Sequence, residues 1–227
     1  QSLKLIQDGQ IKDGESNGTP VLKLFHPIYD LFKPDPNMDV EAFKRQHGLR
    51  KNVFLFFGFI RKYKGLHHTI EAFAKVAAQR EDVSLLICGE SFWNTLDESK
   101  WINRWKQRIF KWAKTLFLKK SDDERMYQPL QLIEQLHIQD RCVVFNRFIP
   151  NEEVHLYFQC SDAVVLYYLT ATPSGIESLS YNFKLPILAT RVGHFPETIT
   201  DGKNGYLAND ADVEDMAKTM EKFLASP

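Results

Sequence analysis

The amino-acid sequence predicts an α/β domain built on a parallel sheet of about six strands, with helices on both faces. Three observations predict it. Short apolar runs such as Val53-Phe54-Leu55-Phe56-Phe57 and Ala163-Val164-Val165-Leu166 show no polar alternation, as expected of strands buried on both sides. Stretches with helical periodicity fall between those runs. The connections are short and rich in Gly, Asp, Asn and Pro, which favours right-handed crossovers within one sheet.

The elements follow in order. Residues 1–36 carry Pro20, Pro27, Pro34 and Pro36 and read as a linker or arriving segment, which places the domain proper at 37–227. Val53 to Phe57 is the first strand, closed by Gly58. Leu66 to Arg80 sets Ile70, Phe73, Ala74 and Ala77 on one helical face. Val83 to Cys88 is the second strand, ending at Gly89-Glu90. Tyr127 to Leu136 reads as a helix and Cys142 to Phe145 as a strand. Asn151 to Phe158 is helical, with Glu152 and Glu153 in its first turn, favourable against the helix dipole. Ala163 to Tyr168 is a strand, Ser174 to Phe183 a short helix and Pro186 to Ala189 another strand. A turn at Asp201-Gly202 and Asn204-Gly205 enters the strand Tyr206-Leu207, and the last helix runs from Val213 to about Leu224.

One insertion, at about 91–126, breaks the alternation. From Lys100 to Lys120 there are eight Lys or Arg and no Asp or Glu. Ile102, Trp105, Ile109, Trp112 and Leu116 recur at helical spacing, widened by Trp101, Phe110 and Phe117. Two readings stand side by side: a cationic amphipathic helix lying at an anionic membrane surface, or a helix covering this or another domain with its basic face solvated.

Composition narrows the function classes. The chain has 227 residues, 44% hydrophobic, with 29 Lys+Arg against 29 Asp+Glu. That neutral balance gives no pull toward nucleic acid, and no nucleic-acid partner is expected. Cys88, Cys142 and Cys160 form no CxxC pair and no even framework, which indicates a reducing, cytoplasmic setting. The longest apolar runs fall short of the ~20 residues that a membrane-spanning helix needs. The first residue is Gln1 rather than Met, so the chain reads as part of something longer.

In an open parallel sheet, ligands bind beyond the carboxyl ends of the strands. Gly58 to Gly65, Gly89-Glu90, Asn146 to Pro150, Leu169 to Gly175 and Arg191 to Glu197 all lie there. Gly58 permits a close turn, and Arg61, Lys62 and Lys64 then set fixed positive charge before a helix, which suits a diphosphate. Neither a dinucleotide fingerprint nor a Walker loop is present. Thr170-Ala171-Thr172-Pro173-Ser174-Gly175 offers hydroxyls and free amides to an anion, although simple capping by Ser174 accounts for it equally well. His67-His68 lacks a third ligand at metal spacing, so no metal is expected.

These segments resemble, as an ordered series, the nucleotide-sugar-binding domain of GT-B glycosyltransferases, and most closely the bacterial branch of glycosyltransferase family 4. The similarity begins at Phe57-Gly58-Phe59-Ile60-Arg61-Lys62-Tyr63-Lys64-Gly65-Leu66. It continues through Ile149-Pro150-Asn151-Glu152-Glu153-Val154 and Ser161 to Leu166, and is strongest at Ala171-Thr172-Pro173-Ser174-Gly175 and Pro186 to Gly193, with Glu197 and Asp201-Gly202 following. His26-Pro27-Ile28-Tyr29-Asp30 resembles the crossover from an N-terminal acceptor domain. The resemblance spans roughly residues 22–224, apart from the insertion. It implies a Rossmann-like domain, the C-terminal half of a GT-B fold, that takes a sugar from an NDP-sugar with retention of configuration and without a bound metal or other cofactor.

By the same resemblance, Arg61 and Lys64 stabilise the leaving diphosphate, with Gly58, Thr172, Ser174 and Gly175 around the phosphates. Glu90 and Arg147 flank the base, and Glu177 and His194 lie toward the donor. The implied acceptor is a glycan or a lipid-linked species, held by the N-terminal domain, with peripheral contact at the inner membrane face through residues 100–120. Alone, the fragment is expected to transfer little.

Two departures qualify the resemblance. Many family members carry two glutamates eight residues apart, the second seven residues before the proline equivalent to Pro186. Counting back reaches Leu179 and Ala171, so both carboxylates are absent. Glu177 is two residues from the second position, a helical rotation of about 200°. His194 stands where a second glycine is usual. The rival readings are a non-catalytic binding or scaffold module, and an NDP-sugar epimerase or phosphorylase on the same architecture.

Overall fold

Along each central strand, successive side chains enter opposite cores. Val53, Leu55, Val164 and Leu166 join one cluster, while Phe54, Phe56, Val165 and Tyr167 join the other. The computed structural model describes residues 31–91, 127–171 and 174–225. Within them the elements are α1 (Val40–His47), β1 (Asn52–Phe57), α2 (Leu66–Ala77), β2 (Val83–Cys88), α3 (Gln131–Gln135), β3 (Cys142–Phe145), α4 (Val154–Gln159), β4 (Ala163–Leu166), α5 (Gly175–Asn182), β5 (Ile187–Thr190), α6 (Phe195–Thr198), β6 (Gly205–Ala208) and α7 (Val213–Ala225).

The strands form one six-stranded sheet in the order β3-β2-β1-β4-β5-β6, parallel at every pairing. Helices α2, α3 and α7 cover one face through Leu66, Ile70, Phe73, Ile133, Met216 and Met220. Helices α1, α4 and α5 cover the other through Phe43, Val154, Phe158 and Leu179. Phe54 and Leu55 are fully buried, and burial of side chains of this size stabilises by about 1.5–3 kcal/mol each. Strand order reverses between β1 and β4, and the crevice at such a switch point is where open α/β sheets bind ligands.

The expected α/β architecture and its sheet are thus present, and four local readings change. The helix expected from Tyr127 starts only at Gln131, because Pro129 disfavours a helical conformation at Gln128. The strand expected to reach Tyr168 stops at Leu166, where the Tyr168 amide turns back onto the Leu166 carbonyl at 2.7 Å. Two helices not anticipated are α1 and α6. In α1, Asp39 caps the Ala42 amide at 2.8 Å and Gly48 closes the other end, yet no residue of the helix is fully buried, so its apolar signal is weak. Helix α6 is only four residues long.

The end of the expected linker is held against the domain. The Asp35 amide donates to Gln159 Oε1 at 2.7 Å, Gln159 Nε2 donates to the Asp35 carbonyl at 2.9 Å, and Asn182 Nδ2 donates to the Phe32 carbonyl at 3.4 Å. Residues 1–30, with the crossover sequence His26 to Asp30, and the amphipathic stretch 100–120 lie outside the described residues.

Candidate functional site

The carboxyl ends of β1, β2 and β3 are knitted together by their loops. The Gly58 amide donates to the Cys88 carbonyl at 2.8 Å, the Ile60 amide to the Glu90 carbonyl at 2.9 Å, and the Gly89 amide to the Phe145 carbonyl at 3.0 Å. After Ile60 the chain makes a 3-10 turn at Lys62–Lys64, ending on Gly65 in the left-handed region. This turn swings the Lys64 side chain back over Gly58. A Cβ built on Gly58, whose φ is +98°, would stand 2.7 Å from Lys64 Nζ, so the bare glycine makes room for the ammonium group.

Lys64 is only 8% exposed. Its Nζ lies 5.8 Å from the centre of the Tyr168 ring, and among the described residues no carboxylate pairs with it. Burial, and secondarily the Arg61 charge, lowers its pKa from 10.5 to about 8. A buried cation near another cation is a poor arrangement for the free protein, which the Tyr168 ring face offsets only in part, and a good one for an anion.

Across the switch point, Ser174 caps α5 by accepting from the Ile176 amide at 3.3 Å. The capping reading of Ser174 therefore holds: its hydroxyl takes up the Ile176 amide and its carbonyl the Glu177 amide at 3.1 Å, which leaves the Gly175 amide at this edge. Between these elements lies a cleft of about 340 Å3, lined on its apolar side by Phe57, Phe59, Phe148, Ile149, Ile176 and Leu179. Gly58, Lys64, Glu90, Arg147 and Gly175 contribute its polar and glycine positions. Phe59 is 45% and Phe148 63% exposed, which leaves two aromatic faces at its mouth.

Arg147 is held by neighbours that the sequence did not point to. It pairs with Glu153, and its Nη2 donates to the Tyr157 hydroxyl at 3.0 Å. The Arg147 hydrogen bond holds the Glu153 carboxyl below the usual carboxylate range. Glu153 had a sufficient local explanation as a first-turn helix residue, so its second partner was not legible from spacing.

Of the residues expected at the site, Gly58, Lys64, Glu90, Arg147 and Gly175 meet in this one cleft. Arg61 and Ser174 flank it, at the turn before Lys64 and at the cap of α5. Glu177 and His194 are brought together elsewhere. Glu177 is buried and turned about 100° around α5 from cleft-lining Ile176. Its Oε2 pairs with His194 Nε2, and its Oε1 accepts from the Tyr181 hydroxyl at 3.0 Å. Thr172 lies outside the described residues.

Tyr168 is the residue that sequence reasoning overlooked. Its apolar neighbours made it read as the end of a strand, whereas its ring sits between Lys64 Nζ and Phe195, the latter at 5.6 Å between ring centres. A tyrosine at the carboxyl end of a fully buried run was the available signal. Among the described residues no three His, Cys, Asp or Glu side chains gather as a metal site requires. No described helix is long and apolar enough to cross a membrane.

Comparison with known proteins bears on the fold and the family. The D-inositol 3-phosphate glycosyltransferase of Corynebacterium urealyticum is 25% identical over 227 residues, covering 95% of this chain and 46% of that protein. The C-terminal domain of LpcC, a glycosyl transferase group 1 family protein from Francisella tularensis, shares the fold with a TM-score of 0.62 at 18% identity, covering 88% of each chain. HepE from Anabaena in complex with UDP-glucose gives a TM-score of 0.64 at 18% identity, over 89% of this chain and 47% of that one. The six-stranded sheet therefore matches the C-terminal Rossmann-like domain of GT-B proteins. The chain spans less than half the length of the curated relatives it matches, at 43%, 40% and 46%. The family described as glycosyl transferases group 1 matches residues 38–227, most of the chain, and the chain belongs to that family.

Proposed function

We infer that this chain is the donor-binding half of a retaining glycosyltransferase, in the bacterial branch of family 4, that moves a sugar from an NDP-sugar to a glycan or lipid-linked acceptor. The observation that carries this reading is the buried Lys64 ammonium above Gly58, opposite the capped N-terminus of α5, with an aromatic-mouthed cleft beside it. The base enters the cleft between Phe59, Phe148, Glu90 and Arg147. The diphosphate meets Lys64, Arg61 and the amides of Ser174-Gly175. As the bond from the sugar carbon to the diphosphate oxygen breaks, negative charge grows on that oxygen, and cations already fixed in place stabilise it without reorganising. Protein cations take this role in the proposal, with no metal assigned to it.

The acceptor belongs in this reading to a further domain N-terminal to this one, so this domain by itself binds donor and transfers little. The basic, Trp-rich composition of 100–120 supports a cytoplasmic enzyme working at the inner membrane face. The presence of UDP-glucose in the HepE structure makes uracil the first base to try. The test is a thermal-shift series with UDP, GDP, ADP and dTDP, repeated on Lys64→Ala. A ligand at 100 times its dissociation constant adds about 2.7 kcal/mol. The expected result is stabilisation by one nucleotide that disappears in the variant. Indifference to all four, or a shift unchanged in Lys64→Ala, would overturn the reading.

A further inference from the structure

The strand order fixes where the parts of a donor fall. The cleft lies beyond β3, β2 and β1, Lys64 and Ser174-Gly175 stand at the gap between β1 and β4, and the segment after β5 comes next along the same edge. Neighbouring strands are about 4.8 Å apart. A molecule with its base in the cleft and its diphosphate at the gap therefore carries its sugar over the end of β5.

His194 stands there. Gly193, at φ +57°, brings this segment directly against the turn before α5, where an added Cβ would come within 2.1 Å of the Ala171 carbonyl oxygen. The His194 ring packs on Phe195 with centres 4.7 Å apart, and Phe195 packs on Tyr168. Glu177 engages Nε2, and in the tautomer in which Nε2 donates to that carboxylate, Nδ1 is the acceptor. Nδ1 is left buried, with no hydrogen-bond partner among the described residues.

A second open atom belongs to the same cluster. Tyr168 is 3% exposed; its hydroxyl interacts with the Ser174 side chain but has no partner of full hydrogen-bond geometry among the described residues. Buried polar atoms without partners are costly, and two in one cluster call for a polar group from outside the protein. The side chains that protein folding alone would need are already satisfied: Glu177 has both Tyr181 and His194.

On the donor-site reading given above, we propose that His194 is a specificity-determining residue that presents Nδ1 to a hydroxyl of the donor sugar. Glu177 is its positioning residue, gripping Nε2 so that Nδ1 faces the ligand. The base and the diphosphate do not depend on it.

The test separates sugar from nucleotide. Calorimetric titration of the 227-residue chain uses UDP, GDP, ADP and dTDP, and then UDP-glucose, GDP-mannose, ADP-glucose and dTDP-glucose. In His194→Ala, affinity for the diphosphate that binds should stay within about twofold, while affinity for its sugar ester falls by about five- to tenfold, the loss of one hydrogen bond. Glu177→Leu should behave alike, and Glu177→Gln, which keeps an acceptor for Nε2, should restore most of the sugar affinity. A purely structural role would weaken both ligands together, and that result overturns the proposal. If the diphosphate binds and is lost in Lys64→Ala while the sugar-to-diphosphate ratio is unchanged in His194→Ala, the proposal falls and the donor site stands. If no diphosphate binds to the wild type, both fall.

Discussion

Replacing Lys64 by Met removes a buried charge while keeping an unbranched chain of similar length, and the structure gives both the sign and the size of the effect. A fall in pKa from 10.5 to about 8 corresponds, at 1.36 kcal/mol per unit, to roughly 3 kcal/mol of folding free energy lost in keeping Lys64 charged at pH 7. Lys64 is 8% exposed, so solvent screening removes little of that figure. Lys64→Met should therefore stabilise the ligand-free domain by about 2–3 kcal/mol, or about 4–10 °C in melting temperature for a chain of this size. The pH dependence supplies an internal control. Between pH 8 and 10.5 the unfolded chain holds the Lys64 proton and the folded chain has released it, so wild-type stability rises with pH across that window. The variant lacks this contribution, and its advantage should close by about pH 10.5. Paired thermal melts at pH 7 and pH 10, each with and without the nucleotide that binds, read all of this. A variant that is less stable than wild type at pH 7, or an advantage that does not shrink with pH, would refute the reasoning. So would a variant that keeps the nucleotide shift, because the same charge is assigned to the diphosphate.

Two further outcomes follow from the same edge. Burial, then His68 and Lys62, lowers the His67 pKa from 6.5 to about 4, with its Nδ1 against the Tyr127 hydroxyl at 2.9 Å. The unfolded chain takes up that proton below pH 6.5 and the folded chain only near 4, so stability is lost as pH is lowered from 6.5 to about 4. With half-exposure discounted, the fall is about 1 kcal/mol, and chemical denaturation of His67→Phe at pH 7 and pH 4.5 should show it removed. Gly193→Ala places a side chain at φ +57° and a Cβ against a carbonyl oxygen, and should cost about 2–4 kcal/mol. A urea midpoint equal to wild type would show that the segment after β5 does not rest on Ala171 as described.

Much of the fold was legible because its signals are local. Short runs such as Val83 to Cys88, apolar but for Ser84, are all buried, and their alternation with helices leaves few topologies. The cleft positions Gly58, Lys64, Glu90, Arg147 and Gly175 followed from the rule that the carboxyl edge carries ligands, joined to a family resemblance. What escaped was pairing across sequence distance. Glu177 and His194 are 17 residues apart, on a helix and on a loop whose register neither spacing nor period specifies. Each was singled out alone, Glu177 as a displaced carboxylate and His194 as a missing glycine. Only the packing of α5 against the segment after β5 shows that the two departures are one feature. Helix α1 escaped for the opposite reason: its caps are plainly written in Asp39 and Gly48, but it contributes no fully buried side chain to betray a period.

The choice of site does not rest on cavity size. A larger cleft, about 750 Å3, opens at the other edge of the sheet, lined by Asn52, Asp162, Lys184, Asn204, Tyr206 and Phe223 among others. Apart from the exposed Lys184 and Lys203, several of its polar side chains are committed to the fold. Asp162 Oδ2 accepts from the Val53 amide at 2.7 Å, Asn52 Nδ2 donates to Asp82 Oδ2 at 2.7 Å, and the Asn204 side chain accepts from the Thr200 amide at 2.8 Å and donates to the Thr198 carbonyl at 2.9 Å. At the carboxyl edge the balance is reversed. The buried side-chain atoms without partners among the described residues are His68 Nδ1, Tyr168 Oη and His194 Nδ1, and they follow β1, β4 and β5 respectively. Lys64 adds a buried charge with no carboxylate paired to it among the described residues. Folding alone selects against such groups, since each lowers the stability of the free protein. Their concentration along one edge, after successive strands around the switch point, is what a polar, anionic ligand lying across those strand ends would account for, whereas the larger cleft has no buried unpartnered side-chain atom among the described residues.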